Sequence, residues 1–198
     1  DHVSLQIAPS QLRDDMHVVL AEEGAACTSR TLLAGHADNQ FDIGVTAEHR
    51  APRTSADLRS NVVLSGDAQA VVRGLIRVEK TARAANGYQR CDALLLSKTA
   101  EVDPIPNLEI ETNDVRCTHG VTIRQEHPEH LFYLQSRGLP AARARELLVF
   151  GFVAGILSRC PEKHRAVMER NIRRVLQAED ARRLFHTRRF GAPPLTRI

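Results

Sequence analysis

Val71-Val72-Arg73-Gly74-Leu75-Ile76-Arg77-Val78 belongs to a train of short apolar runs that fills the first part of this chain. Polar and apolar residues alternate imperfectly along it. Successive side chains of a strand point to opposite faces, so the pattern predicts a strand that can be buried on both sides. Shorter runs of the same kind are His17 to Leu20, Thr31 to Leu33, Phe41 to Val45, Asn61 to Leu64, Ala93 to Leu96 and Leu108 to Ile110. Gly24, Gly35, Pro52, Gly66, Gly87, Pro104 and Pro106 punctuate them. Such spacing predicts all-β structure from Val3 to about Ile123. Isolated Gly and Asn suit a coiled β ladder, whose corners need positive φ. Alternation alone fits a sandwich as well as a β-helix, and no crisp repeat period stands out.

From Glu126 the texture changes. Leu131, Phe132 and Leu134 lie in a segment stopped by Arg137-Gly138, a helix-ending pair. Pro140 opens a second helix, with Leu147, Leu148, Phe152 and Ile156 at helical spacing, ended by Cys160-Pro161. A third helix is expected from Glu162 to Gln177, with Val167, Ile172, Val175 and Leu176 inward. The expected organisation is a β core over 1–125, a helical domain over 126–178 and a poorly ordered basic tail over 179–198, with Arg182, Arg183, Arg188 and Arg189.

Composition narrows the function classes. The chain has 198 residues, 42% hydrophobic and 26% charged, enough for a real core. A formal charge of +3, aromatics at 4% and no tryptophan argue against a dedicated nucleic-acid platform. No stretch is long and apolar enough for a membrane span; Leu147 to Leu157 is too short. The opening residues do not read as a signal peptide, and a start at Asp1 without methionine reads as a trimmed chain or a piece of a longer protein. Cys27, Cys91, Cys117 and Cys160 form no CxxC pair, which suits free thiols in the cytoplasm. There is no GxxxxGK[ST] loop, GxSxG elbow or HExxH helix.

Four segments in order carry a resemblance. They are Tyr88 to Ser97 (YQRCDALLLS), Ala100 to Ile110 (AEVDPIPNLEI), Asn113 to Gly120 (NDVRCTHG) and Leu131 to Gly138 (LFYLQSRG). Together they are similar to the C-terminal core of the SufB/SufD family of iron–sulfur cluster assembly proteins, most strongly over 86–158. Phe41-Asp42-Ile43-Gly44 and His49-Arg50-Ala51-Pro52 extend the similarity upstream. The resemblance implies a right-handed parallel β-helix followed by a small helical domain that docks a SufC-type ATPase. It also implies a non-enzymatic scaffold that pairs, through its β-helix, with a SufB-like paralogue or with itself, holding a transient iron–sulfur cluster near that interface. Cys91 matches a SufB cysteine proposed as a cluster ligand, and His119 matches a SufD histidine contributed from the other side of the pair. The residue after His119 is Gly120, where SufB has glutamate, so this motif is SufD-like.

The residue types fit the chemistry. Thiolates bind iron and carry sulfur, and a neutral imidazole also ligates iron. Cys91 and His119 are the metal candidates, with Cys117 beside them as a cluster or persulfide candidate. Cys117 and His119 are two apart and share a face in a strand. Arg90 and Arg116 adjoin the two cysteines and could depress their pKa, if they shared a face. Cys27 and Cys160 read as structural, with Cys27 an alternative point of sulfur entry. His127 and His130 read as capping or solvated residues, and His36 and His49 suit the ladder surface. On the second helix, Arg143, Arg145, Glu146 and Phe150 are the candidates for ATPase contact. Two other readings stand beside the scaffold. One is a purely structural SufD-like subunit with no cluster of its own. The other is a polysaccharide-active β-helix enzyme using Glu101, Asp103, Glu109 or Glu111.

Overall fold

The computed structural model of the protein describes residues 1–7 and 10–189, with side chains through Ala181. Among these residues nine strands alternate between two parallel sheets. The first sheet has the order β1 (His2–Gln6), β3 (Ala26–Gly35), β5 (Ser55–Leu64), β7 (Ala85–Leu95), β9 (Val115–Gln125). The second has the order β2 (Gln11–Leu20), β4 (Gln40–His49), β6 (Gln69–Val78), β8 (Glu101–Ile110). Each strand from β1 to β7 pairs with the strand two positions later. The result is a parallel β-solenoid of about four turns, followed by three helices, which bears out the expected mainly β class.

Register explains why no repeat was visible. Gln11 pairs with Gln40 and Gln40 with Gln69, a stride of 29 residues. Gln69 then pairs with Glu101, a stride of 32. The stride is set by backbone pairing and varies with corner length, while few positions keep their residue type from turn to turn.

The corners use positive φ, as the Gly-rich punctuation implied. Gly24, Arg53 and Ala84 have φ of 75°, 57° and 55° and follow one edge of the coil. Their amides donate to the next corner: Gly24 to the Pro52 carbonyl, Arg53 to Arg83, Ala84 to Asp114. On the other edge Gly66 (φ 67°) stacks on Ala37 (φ 55°). Only some corners take glycine; Gly35 and Gly87 lie within strands instead.

Pro104 and Pro106, expected as breaks, are inside β8. This strand is the outer edge of its sheet. In a parallel ladder alternate residues aim their nitrogens the same way, so two prolines two apart are tolerated where that side faces away from the partner strand.

The interior between the sheets holds Leu33, Phe41, Ile43, Val62, Leu64 and Val72 towards one edge. Val45, Ala47, Leu58, Ile76 and Val78 fill the other edge. The first sheet is also covered on its outer face. There Leu32, Val63 and Leu96 pack against Val149, Val153, Ile156 and Ile172 of the helices. Double burial is why Thr31 to Leu33 and Asn61 to Leu64 do not alternate. Each such side chain contributes about 1.5–3 kcal/mol.

The helices are α1 (Pro128–Ser136), α2 (Ala141–Leu157) and α3 (Glu162–Arg189). Gly138, at φ 88°, ends α1 through amide bonds back to Gln135 and, from Leu139, to Leu134. Helical phase differs from expectation at two residues: Leu147 and Val167 are exposed. The segment Leu147 to Leu157 is apolar all round, so spacing could not fix which stripe faces the sheet; Val149, Val153, Ile156 and Leu157 do. α3 runs past the expected end at Gln177, so the predicted tail is helical as far as Arg189. The continuation has anchors. Glu179 is buried and accepts the Gly66 amide at 3.2 Å, and Asp180 pairs with Arg145. Residues 190–198 of the predicted tail lie outside the described residues. Among the described residues no helix is long and apolar enough to cross a membrane.

Candidate functional site

β7 and β9 are the last two strands of the first sheet. Their register sets Gly87 against Cys117, Gln89 against His119 and Cys91 against Val121. These odd-numbered residues share the inward face, so all three predicted site residues point the same way. They differ in depth. Cys91 is buried, Cys117 half-buried and His119 exposed.

The neighbouring arginines do not serve the thiols. Arg90 points to the opposite face, where its Nε and Nη2 clamp Asp92 at 2.6 and 2.9 Å. Burial, with a smaller contribution from the Asp92 charge, pushes the Cys91 thiol up to about 12. Burial also raises Cys117, against a lowering hydrogen bond from the Gly87 amide. Both cysteines are therefore thiols at neutral pH in the isolated chain. Among the described residues no three His, Cys, Asp or Glu side chains converge to hold a metal ion. Cys91, Cys117 and His119 share a face without forming a closed ligand set.

What they do share is an open end. Among the described residues no further strand stacks on β8 and β9, so their inward side chains are left uncovered. Ile110 and Val121 are each 42% exposed and Ile123 48%. Pro104, Pro106 and Leu108 are half-buried beside them. The prolines deny β8 two edge amides, whereas β9 contains no proline and keeps an edge capable of pairing.

Sequence reasoning missed Gln89. It is buried on the same face, directly across from His119 and two residues from Cys91. Its Nε2 donates to the Asn107 carbonyl of β8 at 2.9 Å, spanning the interior. Beside it lies a small cavity of about 30 Å³, lined by Ser60, Gly74, Gln89, Cys91, Pro104 and Pro106 among others. The available signal was a lone amide at an inward position of a strand whose other inward residues are apolar or cysteine.

Other candidates fall elsewhere. Cys27 is half-buried in the column Cys27, Ala56, Gly87, Cys117, three strands from Cys117. Cys160 is buried in the helical core. His49 does not face the ladder surface; it is fully buried, with Nδ1 2.8 Å from Thr54 Oγ1. The rings of His127 and His130 lie 5.0 Å apart, and His127 makes no side-chain cap. Of the carboxylates weighed for an enzyme, Glu109 is closed on Arg77 at 2.7 Å and Glu101 accepts from Gln69 at 3.4 Å.

The helical candidates separate into two groups. Arg143 bonds Glu146 at 2.6 Å, Glu146 bonds Arg173 at 3.0 Å, and Arg173 lies 4.8 Å from the centre of the Phe150 ring. This connected cluster is at the surface. Arg145 is not: its side chain is 7% exposed and closed on Glu126 and Asp180. Buried polar pairing, which spacing cannot reveal, removes it from any contact surface. On α1 no residue is buried, and Phe132 is 72% exposed with Tyr133 beside it.

Comparison with known proteins fits this geometry. The family described as "SUF system FeS cluster assembly, SufBD core domain" matches residues 1–152. The chain belongs to the SufBD core family. A SufBD family iron–sulfur cluster assembly protein of Mycobacterium bovis is 35% identical over 144 residues, covering 73% of this SufBD chain and 17% of that relative. One from Staphylococcus haemolyticus is 29% identical over 156 residues, covering 79% of this chain and 33% of the relative. This SufBD chain thus spans a third or less of the length of these relatives.

Proposed function

We propose that the chain is a scaffold component of iron–sulfur cluster assembly that acts by pairing rather than by catalysis. The observation that carries this is the placement of Cys91, Cys117 and His119 on the inward face of an uncapped solenoid end. Iron and sulfide are cargo, and one chain offers too few converging ligands to hold them. A second solenoid end, from a SufB-like paralogue or another copy, brings the missing ligands and covers Ile110, Val121 and Ile123. The exposed apolar residues and the unblocked edge of β9 support this pairing. The helices form a separate face. Phe132, Tyr133 and Leu147, with Arg143, Glu146 and Phe150 alongside, suit contact with a SufC-type ATPase in the cytoplasm.

Anaerobic reconstitution with iron and sulfide tests the reading, using wild type, Cys91→Ala and His119→Ala, followed by visible absorption and metal analysis. A cluster in wild type that either variant loses supports a site containing both residues. No cluster in any sample, alone or with a SufB-like partner, overturns it. The depth of Cys91 and Gly120 in place of glutamate favour a second reading, a structural SufD-like subunit that shapes the complex. That reading expects pairing and ATPase docking with no cluster in any variant.

A further inference from the structure

We infer that Gln89 is a positioning residue that partitions the solenoid interior and sets how far Cys91 opens towards His119 and Cys117. The inference rests on the reading of those three as site residues, and it goes beyond it by naming what holds them apart. Along β7 the inward order is Gly87, Gln89, Cys91, and across the ladder it is Cys117, His119, Val121. Gln89 therefore stands between the Cys117 position and Cys91, with His119 on its open side.

Three observations show that the amide is held there. Its Nε2 reaches across the core to the Asn107 carbonyl at 2.9 Å, so the buried amide is not left without a partner. Gly74 faces it from β6, and a Cβ built at Gly74 would overlap Gln89 Oε1. Glycine inside a strand forfeits packing and chain entropy; here its missing side chain leaves the path the amide takes. Finally, the cavity bordered by Cys91 is walled by Gln89 and the two prolines. While the amide spans the core, Cys91 faces a small space of about 30 Å³ of which Gln89 forms one wall. When it swings away, Cys91 faces the same space as Cys117 and His119.

Alkylation tests this directly. Wild type, Gln89→Ala and Gly74→Ala are treated with iodoacetamide, and each cysteine peptide is quantified by mass spectrometry over time. Gln89→Ala removes the partition, and Gly74→Ala displaces it while keeping the amide. Cys160, buried in the helical core, is the internal reference for general loosening. The expected result is a rise of about tenfold in the Cys91 rate relative to Cys160 in both variants, since thiol reactivity follows access. A Cys91 rate that stays at the wild-type value in Gln89→Ala, or that rises only in step with Cys160, overturns the inference. Iron and sulfide loading of the same samples is read separately. Failure to load any of them counts against Cys91 as a cluster residue, whereas the alkylation ratio alone decides the partition.

Discussion

Arg145 donates from Nε to Glu126 at 2.6 Å, and this bond ties α2 to the residue that follows the last strand of the solenoid. The same guanidinium closes on Asp180 of α3. Both Arg145 and Glu126 have side chains less than a tenth exposed, at 7% and 9%. Removing one member of a buried ionic group leaves its partners desolvated and uncompensated. Arg145→Ala is therefore expected to lose about 3–5 kcal/mol, and Arg143→Ala, on an exposed pair, less than about 1 kcal/mol. Urea unfolding of the two variants checks this. Equal midpoints would mean that the triad does not hold the helices to the solenoid.

His49 makes stability depend on pH. Thr54 Oγ1 donates to the Ala51 carbonyl at 3.0 Å, so it accepts from His49 Nδ1–H at 2.8 Å. Nε2 is then the unprotonated nitrogen, and it has no partner in the core. Burial lowers the His49 pKa from 6.5. The unfolded chain therefore binds this proton at a higher pH than the folded one. Stability is complete above about 6.5 and is lost as pH falls from there through the folded value. The carboxylates that are depressed, such as Asp57 and Asp92, lie below their ordinary value of 3.8 and so outside the range from pH 7 to pH 5. The urea midpoint of wild type should fall between pH 7 and pH 5 by more than that of His49→Leu. Parallel declines would rule out His49 as the source.

These two side chains also mark where the sequence stopped being legible. Strand runs and helix stops could be read because they depend on neighbours in the chain: Gly138 ends α1 where Arg137-Gly138 predicted. The site face was legible for the same reason, since two-residue spacing puts Cys117 and His119 together. Burial of His49 and Arg145 depends on partners brought in by the coil, and nothing local announces it. Gln89 was hidden likewise, because its role comes from Gly74 and Asn107 on other strands. The solenoid stride was invisible because pairing of Gln69 with Glu101 needs shape, not identity.

Two corner glycines separate conformational strain from crowding. Gly24 and Gly66 have nearly equal φ, 75° and 67°. A Cβ at Gly24 meets nothing within 4 Å, whereas one at Gly66 comes within 2.7 Å of the Ala37 backbone nitrogen. Gly24→Ala should cost only the left-handed penalty, about 1–2 kcal/mol. Gly66→Ala adds an overlap with backbone that cannot rotate away, and the loss should exceed that of Gly24→Ala by at least about 1 kcal/mol. Thermal unfolding of both variants gives the difference. If the two lose the same stability, the corner stack has room to shift and crowding plays no part.

The open end and the helical face should respond separately. Val121 and Ile123 lie on the inward face of the last turn, 42% and 48% exposed at its uncovered end, beside a β9 edge with no proline. Lysine at both positions places charge in the mouth without disturbing a packed core, so the monomer fold should survive, with its unfolding midpoint near wild type. Pairing should not: sedimentation is expected to give a dimer, or a complex with a SufB-like partner, for wild type and a monomer for Val121→Lys/Ile123→Lys. Phe132→Ser changes an exposed side chain on α1 rather than on β9 and should leave that dimer intact while weakening capture of a SufC-type ATPase. A double-lysine variant that still dimerises would move the pairing surface away from the solenoid end, and Cys91 and His119 would then have no partner chain to complete their ligand set.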